Sequence, residues 1–138
     1  MKYTCAFLIS VLLTLCVVYP IGIVYSQNKT FTAPVINGVQ KVDIIGGEYF
    51  FIPDHITVKV NIPVELRVWK EKGFIPHNFV INAPEAGIQI RLSLSNTPQA
   101  IRFTPLMTGN YPFYCDKKFL FFKSHREKGM KGTLRIIE

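Results

Sequence analysis

Ile56-Thr57-Val58-Lys59-Val60 and, after Ile62-Pro63, Val64-Glu65-Leu66-Arg67-Val68-Trp69 alternate apolar and polar residues twice in succession. A period of two sends one set of side chains to a core and the other to water, the pattern of half-buried strands. The same rhythm continues outward in both directions. Towards the N-terminus, residues 42–45 form a strand ended by Gly46-Gly47, and 49–52 an extended piece ended by Pro53-Asp54. Towards the C-terminus, strands are expected over 77–81, 88–94, 100–104, 111–115 and 133–137, many of them rich in Val, Ile, Phe and Tyr. No convincing amphipathic helix and no internal repeat interrupts them. The expected fold class is therefore all-β, a Greek-key β-sandwich.

Residues 1–26 read as an export signal. Lys2 supplies a positive start, and residues 6–24 are apolar but for Ser10, Thr14, Pro20 and Gly22. Val24 and Ser26 then occupy the −3 and −1 positions of a cleavage site before Gln27. An uncleaved membrane anchor is the alternative, because the run approaches the about 20 residues of a bilayer span. Pro20-Ile21-Gly22 breaks the run where a signal helix should end, which favours cleavage. Leu13-Thr14-Leu15-Cys16 is a poor lipoprotein box, Leu15 being too bulky for its position. Residues 27–38 are polar and aperiodic and read as a spacer or a loosely attached edge. Residues 39–138 read as one domain of common size. The expected location is outside the cytoplasm, periplasmic or associated with the outer side of the cytoplasmic membrane. Asn28-Lys29-Thr30 is a glycosylation sequon, relevant only to a eukaryotic secretory route.

The chain has a formal net charge of +7, and the export segment carries away only Lys2. Such a field favours acidic protein partners or an anionic membrane surface. With no basic helix and no RNA-binding motif, nucleic acid is not an expected partner. Of the three cysteines, Cys5 and Cys16 fall in the export segment, which leaves Cys115 alone. Exported proteins usually pair their cysteines. A lone thiol could be a buried inert side chain, half of an intermolecular disulfide, a nucleophile or a metal ligand. Immediately after it, residues 116–131 break the strand rhythm with a segment both charged and aromatic. A loop this long in a compact domain is functional or disordered, and it contains His125 and Met130.

Taken as ligands, the Cys115 thiolate, the His77 and His125 imidazoles and the Met130 thioether are the set of a trigonal copper site with a weak axial methionine. Sulfur donors favour Cu(I) and imidazole suits both oxidation states, so neither state is strongly preferred. That balance suits one-electron transfer. Four protein donors also leave no good substrate position, unlike a catalytic metal site, and no Cys-His-Asn/Asp signature of a nucleophilic enzyme is recognisable. No enzymatic activity is expected. His55 follows Pro53-Asp54 in a turn and reads as exposed. Met107, before the turn at Thr108-Gly109, is the rival thioether.

Two stretches carry a family resemblance: Gly73-Phe74-Ile75-Pro76-His77-Asn78-Phe79-Val80, and Gly109-Asn110-Tyr111-Pro112-Phe113-Tyr114-Cys115 followed by His125 and by Gly129-Met130-Lys131-Gly132-Thr133-Leu134. They resemble the cupredoxins, most closely the plastocyanin-like members, whose early strands are similar to Phe51-Ile52-Pro53 with Ile56 and Val58. The resemblance spans residues 42–138. It implies one copper ion per chain, held by His77, Cys115, His125 and Met130, and electron transport with a redox protein partner. It also implies that Asn78 hydrogen-bonds toward the cysteine side and so orients the ligands. The basic charge predicts that the partner is acidic at its docking face, and the protein is expected to be a monomer.

One feature departs from the family. Nine residues, 116–124, separate Cys115 from His125, where plastocyanin-like proteins have a shorter gap; the spacing from His125 to Met130 fits. The simplest picture is an inserted bulge of about Lys117-Lys118-Phe119-Leu120-Phe121-Phe122. Its four apolar residues either form an exposed patch, rimmed by Lys117, Lys118, Lys123, Arg126 and Lys128, or fold back over the sandwich end. A binuclear copper-A site would need a second cysteine in this loop, which has none. The alternatives to an electron carrier are a copper-binding protein for resistance or delivery, an accessory domain of a membrane oxidase, and a metal-free sandwich that binds through the loop.

Overall fold

The computed structural model describes residues 30–138; the expected export signal lies outside them. Eleven strands follow one another: β1 (Thr30–Thr32), β2 (Val35–Ile36), β3 (Val39–Gly46), β4 (Phe51–Ile52), β5 (His55–Lys59), β6 (Val64–Lys70), β7 (Asn78–Ala83), β8 (Ile88–Ser93), β9 (Gln99–Phe103), β10 (Gly109–Tyr114) and β11 (Lys131–Ile137), with a single 3₁₀ turn at Pro84–Ala86. They form two sheets. One has the order β1-β5-β11-β10-β7-β8; the other has β2-β3-β6-β9, with β4 also paired to β3. From β4 onward the chain crosses repeatedly from one sheet to the other, the wiring of a sandwich rather than of a meander. Both sheets are mixed: β5 runs parallel to β1 and β11, and β3 parallel to β6, while the remaining pairs are antiparallel.

Every strand expected from the alternation is present, within a few residues at its ends. The inward set of β6 is Val64, Leu66 and Val68; from the opposite sheet Ile56 and Val58 of β5, and Leu134 and Ile136 of β11, are buried with them. Phe51, Phe79 and Phe113 meet in a three-ring cluster, with centroids 5.2 to 5.5 Å apart. Gly132 on β11 lies under it: a Cβ there would come 2.2 Å from the Phe113 ring and 2.3 Å from the Asp54 carbonyl oxygen. The close approach of β11 to that ring therefore requires glycine.

Of the two readings of residues 27–38, a spacer or an attached edge, residues 30–36 take the second and form edge strands. β1 pairs with β5 and β2 with β3. Next to them, Gln40 is a buried polar residue whose amide is fully used. Its Nε2 donates to the carbonyls of Lys59 and Ile62, and its Oε1 accepts from the Lys59 N–H. One side chain thus clamps β3 to the β5–β6 crossover and leaves no buried amide atom unpaired.

Candidate metal centre

Three strand ends and one loop meet at a single pole of the sandwich. β10 and β7 are antiparallel neighbours, and so are β10 and β11. The end of β10 therefore lies beside the starts of both partners. Cys115 follows β10, His77 precedes β7 and Met130 precedes β11. The Cys115 N–H donates to the Met130 carbonyl at 3.0 Å, which extends the β10–β11 ladder by one rung and places these two residues opposite each other. Period-two alternation then turns Cys115 inward with Phe113, and Met130 inward with Leu134. His125 comes from the intervening loop.

Cys115 Sγ lies 3.5 Å from His125 Nδ1 and 4.0 Å from His77 Nδ1, and the two Nδ1 atoms are 3.0 Å apart. All three residues are buried. Met130 is fully buried and contacts His77, and its methyl group lies 3.1 Å from where a Cβ on Gly46 would be. The other sequence candidates lie elsewhere. Met107 is about half exposed, and its carbonyl accepts from the Tyr111 hydroxyl. His55 is exposed and pairs with Asp54 at 3.0 Å.

Burial sets the protonation of the group. Desolvation lowers His77 to about 4, with the neighbouring His125 and Lys70 adding to the effect. Desolvation also lowers His125, helped by Lys128 and Lys117. The Cys115 thiol is raised by burial, opposed by hydrogen bonds from the backbone N–H groups of Asn78 and Lys117. The site thus presents two neutral imidazoles with their Nδ1 atoms turned towards a protonated thiol. Those donors fit a metal ion. Generic bonds of ~2.0 Å to imidazole and ~2.3 Å to thiolate allow donor separations up to their sums, and all three observed separations are shorter. The chemistry of the set, two imidazoles and one thiolate beside a thioether, is that of mononuclear copper.

Solved structures of similar shape bear on the fold. The metal binding domain of the Streptococcus pneumoniae D39 Cu(I) exporting P-type ATPase CopA, solved with Cu(I), matches with a TM-score of 0.61 and 25% identity over 80% of this chain and 98% of that one. A copper binding protein solved in its apo form matches with a TM-score of 0.59 and 17% identity over 79% and 98%. Auracyanin A, a "blue" copper protein from Chloroflexus aurantiacus, matches with a TM-score of 0.54 and 16% identity over 72% and 100%. The chain is a cupredoxin in fold. No protein-family model and no curated protein matches its sequence, so the likeness resides in the fold.

The cupredoxin pole is braced by polar residues around the donors. Asn78 N–H donates to Cys115 Sγ at 3.4 Å, its Nδ2 donates to Asp116 Oδ1 at 2.7 Å, and its Oδ1 accepts from the Asp116 N–H at 3.0 Å. Asn78 therefore does tie the histidine strand to the cysteine strand. Asp116, held below the usual carboxylate range first by Asn78 and then by Arg91, completes the brace; nothing in the sequence marked it.

The long loop reaches His125 by an excursion that closes on itself. The His125 N–H donates to the Lys117 carbonyl at 2.8 Å, so residues 118–124 leave and return to one point. The turn that follows is fixed by Ser124 and Glu127. The Ser124 N–H and hydroxyl both donate to Glu127 Oε2, and the Glu127 N–H donates to Ser124 Oγ. This reciprocal arrangement is the capping box, legible in the sequence as Ser124-His125-Arg126-Glu127 but overlooked among the charged residues. The Met130 N–H then donates to the His125 carbonyl at 2.9 Å. Tyr49 packs edge-on against the His125 ring, centroids 5.1 Å apart. At the tip, Phe119, Leu120, Phe121 and Phe122 are all exposed, so the insertion is a patch and not a cover.

Proposed function

We propose that the protein is an exported mononuclear copper carrier, with copper held by His77, Cys115, His125 and Met130, that passes single electrons between redox proteins. The observation that carries this reading is the convergence of two imidazole Nδ1 atoms and one thiol on a single buried point, with a buried thioether beside it. Copper, when bound, supplies the one-electron couple. The chain's own residues do the rest. Cys115 gives up its proton on binding, and the Asn78 N–H aimed at Sγ stabilises the thiolate that results. The ladder holds Cys115 and Met130 in fixed register, so neither needs to move when the charge at the site changes. Burial excludes water from the donors. Four donors leave no open position for a substrate, which supports transfer rather than catalysis. The basic residues beside His125 suit a partner acidic at its docking face.

A second reading has its own support. One domain of similar shape, 25% identical to this chain, belongs to a Cu(I) exporting P-type ATPase and was solved with Cu(I), which favours copper handling in one oxidation state. A copper titration followed by visible and electron paramagnetic resonance spectra separates the two. A carrier binds one equivalent tightly and shows an intense sulfur-to-copper band that disappears reversibly on reduction and is absent in Cys115→Ser. Tight Cu(I) binding without a stable coloured Cu(II) form would overturn the carrier reading in favour of handling.

A further inference from the structure

Two loops flank the shallow depression above His125, and both present apolar side chains to water. Residues 71–77 carry Phe74 and Ile75, and the excursion carries Phe119, Leu120, Phe121 and Phe122; all six are exposed. Phe74, at 106%, projects with almost no protein contact, and Phe121 is 85% exposed. The excursion is an assembled knob: Phe122 stacks on both Phe121 and Phe119, with centroids 5.0 and 6.2 Å apart. Cations stand at the base of each tip. Lys70 and Lys72 flank the Phe74 loop, Lys117, Lys118 and Lys123 bracket the knob, and Lys128 lines the depression between them. Glu48 and Glu71 line the same depression as Lys70 and Lys72 and offset them, so the uncompensated positive rim is that of Lys117, Lys118, Lys123 and Lys128; Asp116 is engaged by Asn78 and Arg91, and Glu127 by Ser124.

We propose that these two tips seat the metal pole on an anionic lipid surface, with the phenyl rings in the interface and the lysines at the phosphates. Contiguous exposed apolar surface marks an interaction site, and the rim makes the charge of the occupant negative. Shape decides between the two kinds of acidic occupant. Two separate knobs need two matching sockets on a protein, whereas the boundary between headgroups and acyl chains accepts any knob. Aromatic rings are favoured at that depth, and lysine stems reach from it to the phosphates. Docked in this way, His125 faces the membrane, beside any membrane-embedded redox or copper-handling partner, whose acidic face can engage the cations left free. The inference is independent of the copper reading, since nothing in its test requires metal.

The experiment places a reporter at the tip of the full-length chain, as Phe121→Trp, with the native protein and its Trp69 as the background to subtract. The site is exposed, so the core is untouched. Added phosphatidylglycerol vesicles should shift the emission to shorter wavelength, and lipids brominated on their chains should quench it. Phosphatidylcholine vesicles should do neither. Lys117→Glu, Lys118→Glu and Lys123→Glu together, on the reporter background, should weaken the response at least tenfold, as should high salt. The reporter reads the tip itself, so binding through the N-terminal apolar segment would not mimic the result. No shift and no quenching with anionic vesicles overturns the proposal, as does a response equal on neutral vesicles or unchanged by the lysine reversals. Failure on vesicles together with salt-sensitive binding to an acidic redox protein would assign the tips to that protein instead.

Discussion

Cys115 and Met130 are held by the β10–β11 ladder, whereas His125 hangs on a loop that belongs to neither sheet and meets β10 only where Arg126 lies over the Tyr114 ring, 4.3 Å from its centroid. The first two inherit their positions from the core: one rung beyond Tyr114 and Lys131, they face each other because the strands already do. His125 is fixed by one backbone closure to Lys117, one to Met130 and the Ser124–Glu127 box, with the edge-on contact from Tyr49 as its long-range support. Half of the centre is thus as rigid as the sandwich, and the other half is as rigid as a short turn. A loop of this kind can lengthen without disturbing the ladder, provided that its base closes at the same point.

The comparison breaks most visibly at Phe113. This ring is buried, packs on Phe51 and Phe79, and sits two residues from Cys115 on the same face of β10. Phe113→Ala should cost about 3–5 kcal/mol of apoprotein stability, the usual range for emptying an aromatic site in a core. Urea unfolding monitored by circular dichroism measures it. A loss below about 1 kcal/mol would mean that the ladder near the site is not anchored in the core.

Protons sharpen the same contrast. Between 6.5 and 9.0, the ordinary values of imidazole and thiol, His77 and His125 are both neutral because their values are lowered, and Cys115 is protonated because its value is raised. Metal binding then releases one proton, from Cys115, and apparent copper affinity should rise roughly tenfold per pH unit across that window. A flat profile in competition titrations would show that the thiol is not a ligand. The apoprotein behaves in the reverse sense to a histidine whose value is raised by an ion-pair partner. A folded-state value of about 4 for His77 means that the native state binds fewer protons than the unfolded chain below about 6.5. Stability is therefore lost as the pH falls from there towards about 4.

Ser124→Ala tests the loop side alone. Removing a capping hydroxyl costs about 1 kcal/mol. Because the turn holds His125 and nothing of the core, that cost should appear as an approximately fivefold loss of copper affinity, with the unfolding midpoint of the apoprotein nearly unchanged. An equal loss of apoprotein stability would show that the loop and the sandwich form one cooperative unit.

What could be read from the sequence follows the same division. The alternation in 64–69 names Val64, Leu66 and Val68 as the inward set because a strand's period is local, whereas Pro76-His77-Asn78 and the aromatic run into Cys115 mark the ladder end of the centre through their resemblance to the cupredoxins. The parallel pairing of Thr30–Thr32 with β5 depends on a partner more than twenty positions away, and a polar segment gives no local sign of it. Gln40 falls in the inward phase of β3 with Val42 and Ile44, and nothing local shows that the Lys59 and Ile62 carbonyls will be there to meet its amide. Phe119-Leu120-Phe121-Phe122 is equally consistent with a core and with a patch, since composition carries no direction. His125 sits among lysines and an arginine as an ordinary solvated residue would, and only the closure on Lys117 turns it inward.

The smallest expected effect is the most informative about the insertion. Deleting residues 119–122 leaves Lys118, Lys123 and Ser124 between Lys117 and His125. That is the spacing of an i to i+4 turn, so the His125 N–H can still reach the Lys117 carbonyl. The four deleted side chains are exposed and contribute nothing to the core. Shortening the loop changes its closure entropy only as the logarithm of its length, a matter of about 0.6 kcal/mol for each halving. Apoprotein stability and copper affinity should therefore both stay within about 1 kcal/mol of the parent, while any attachment made through the tip is lost. If the deletion instead removes copper binding with the sandwich intact, the excursion is itself what aims His125, and the turn at 124–129 cannot hold the ligand alone.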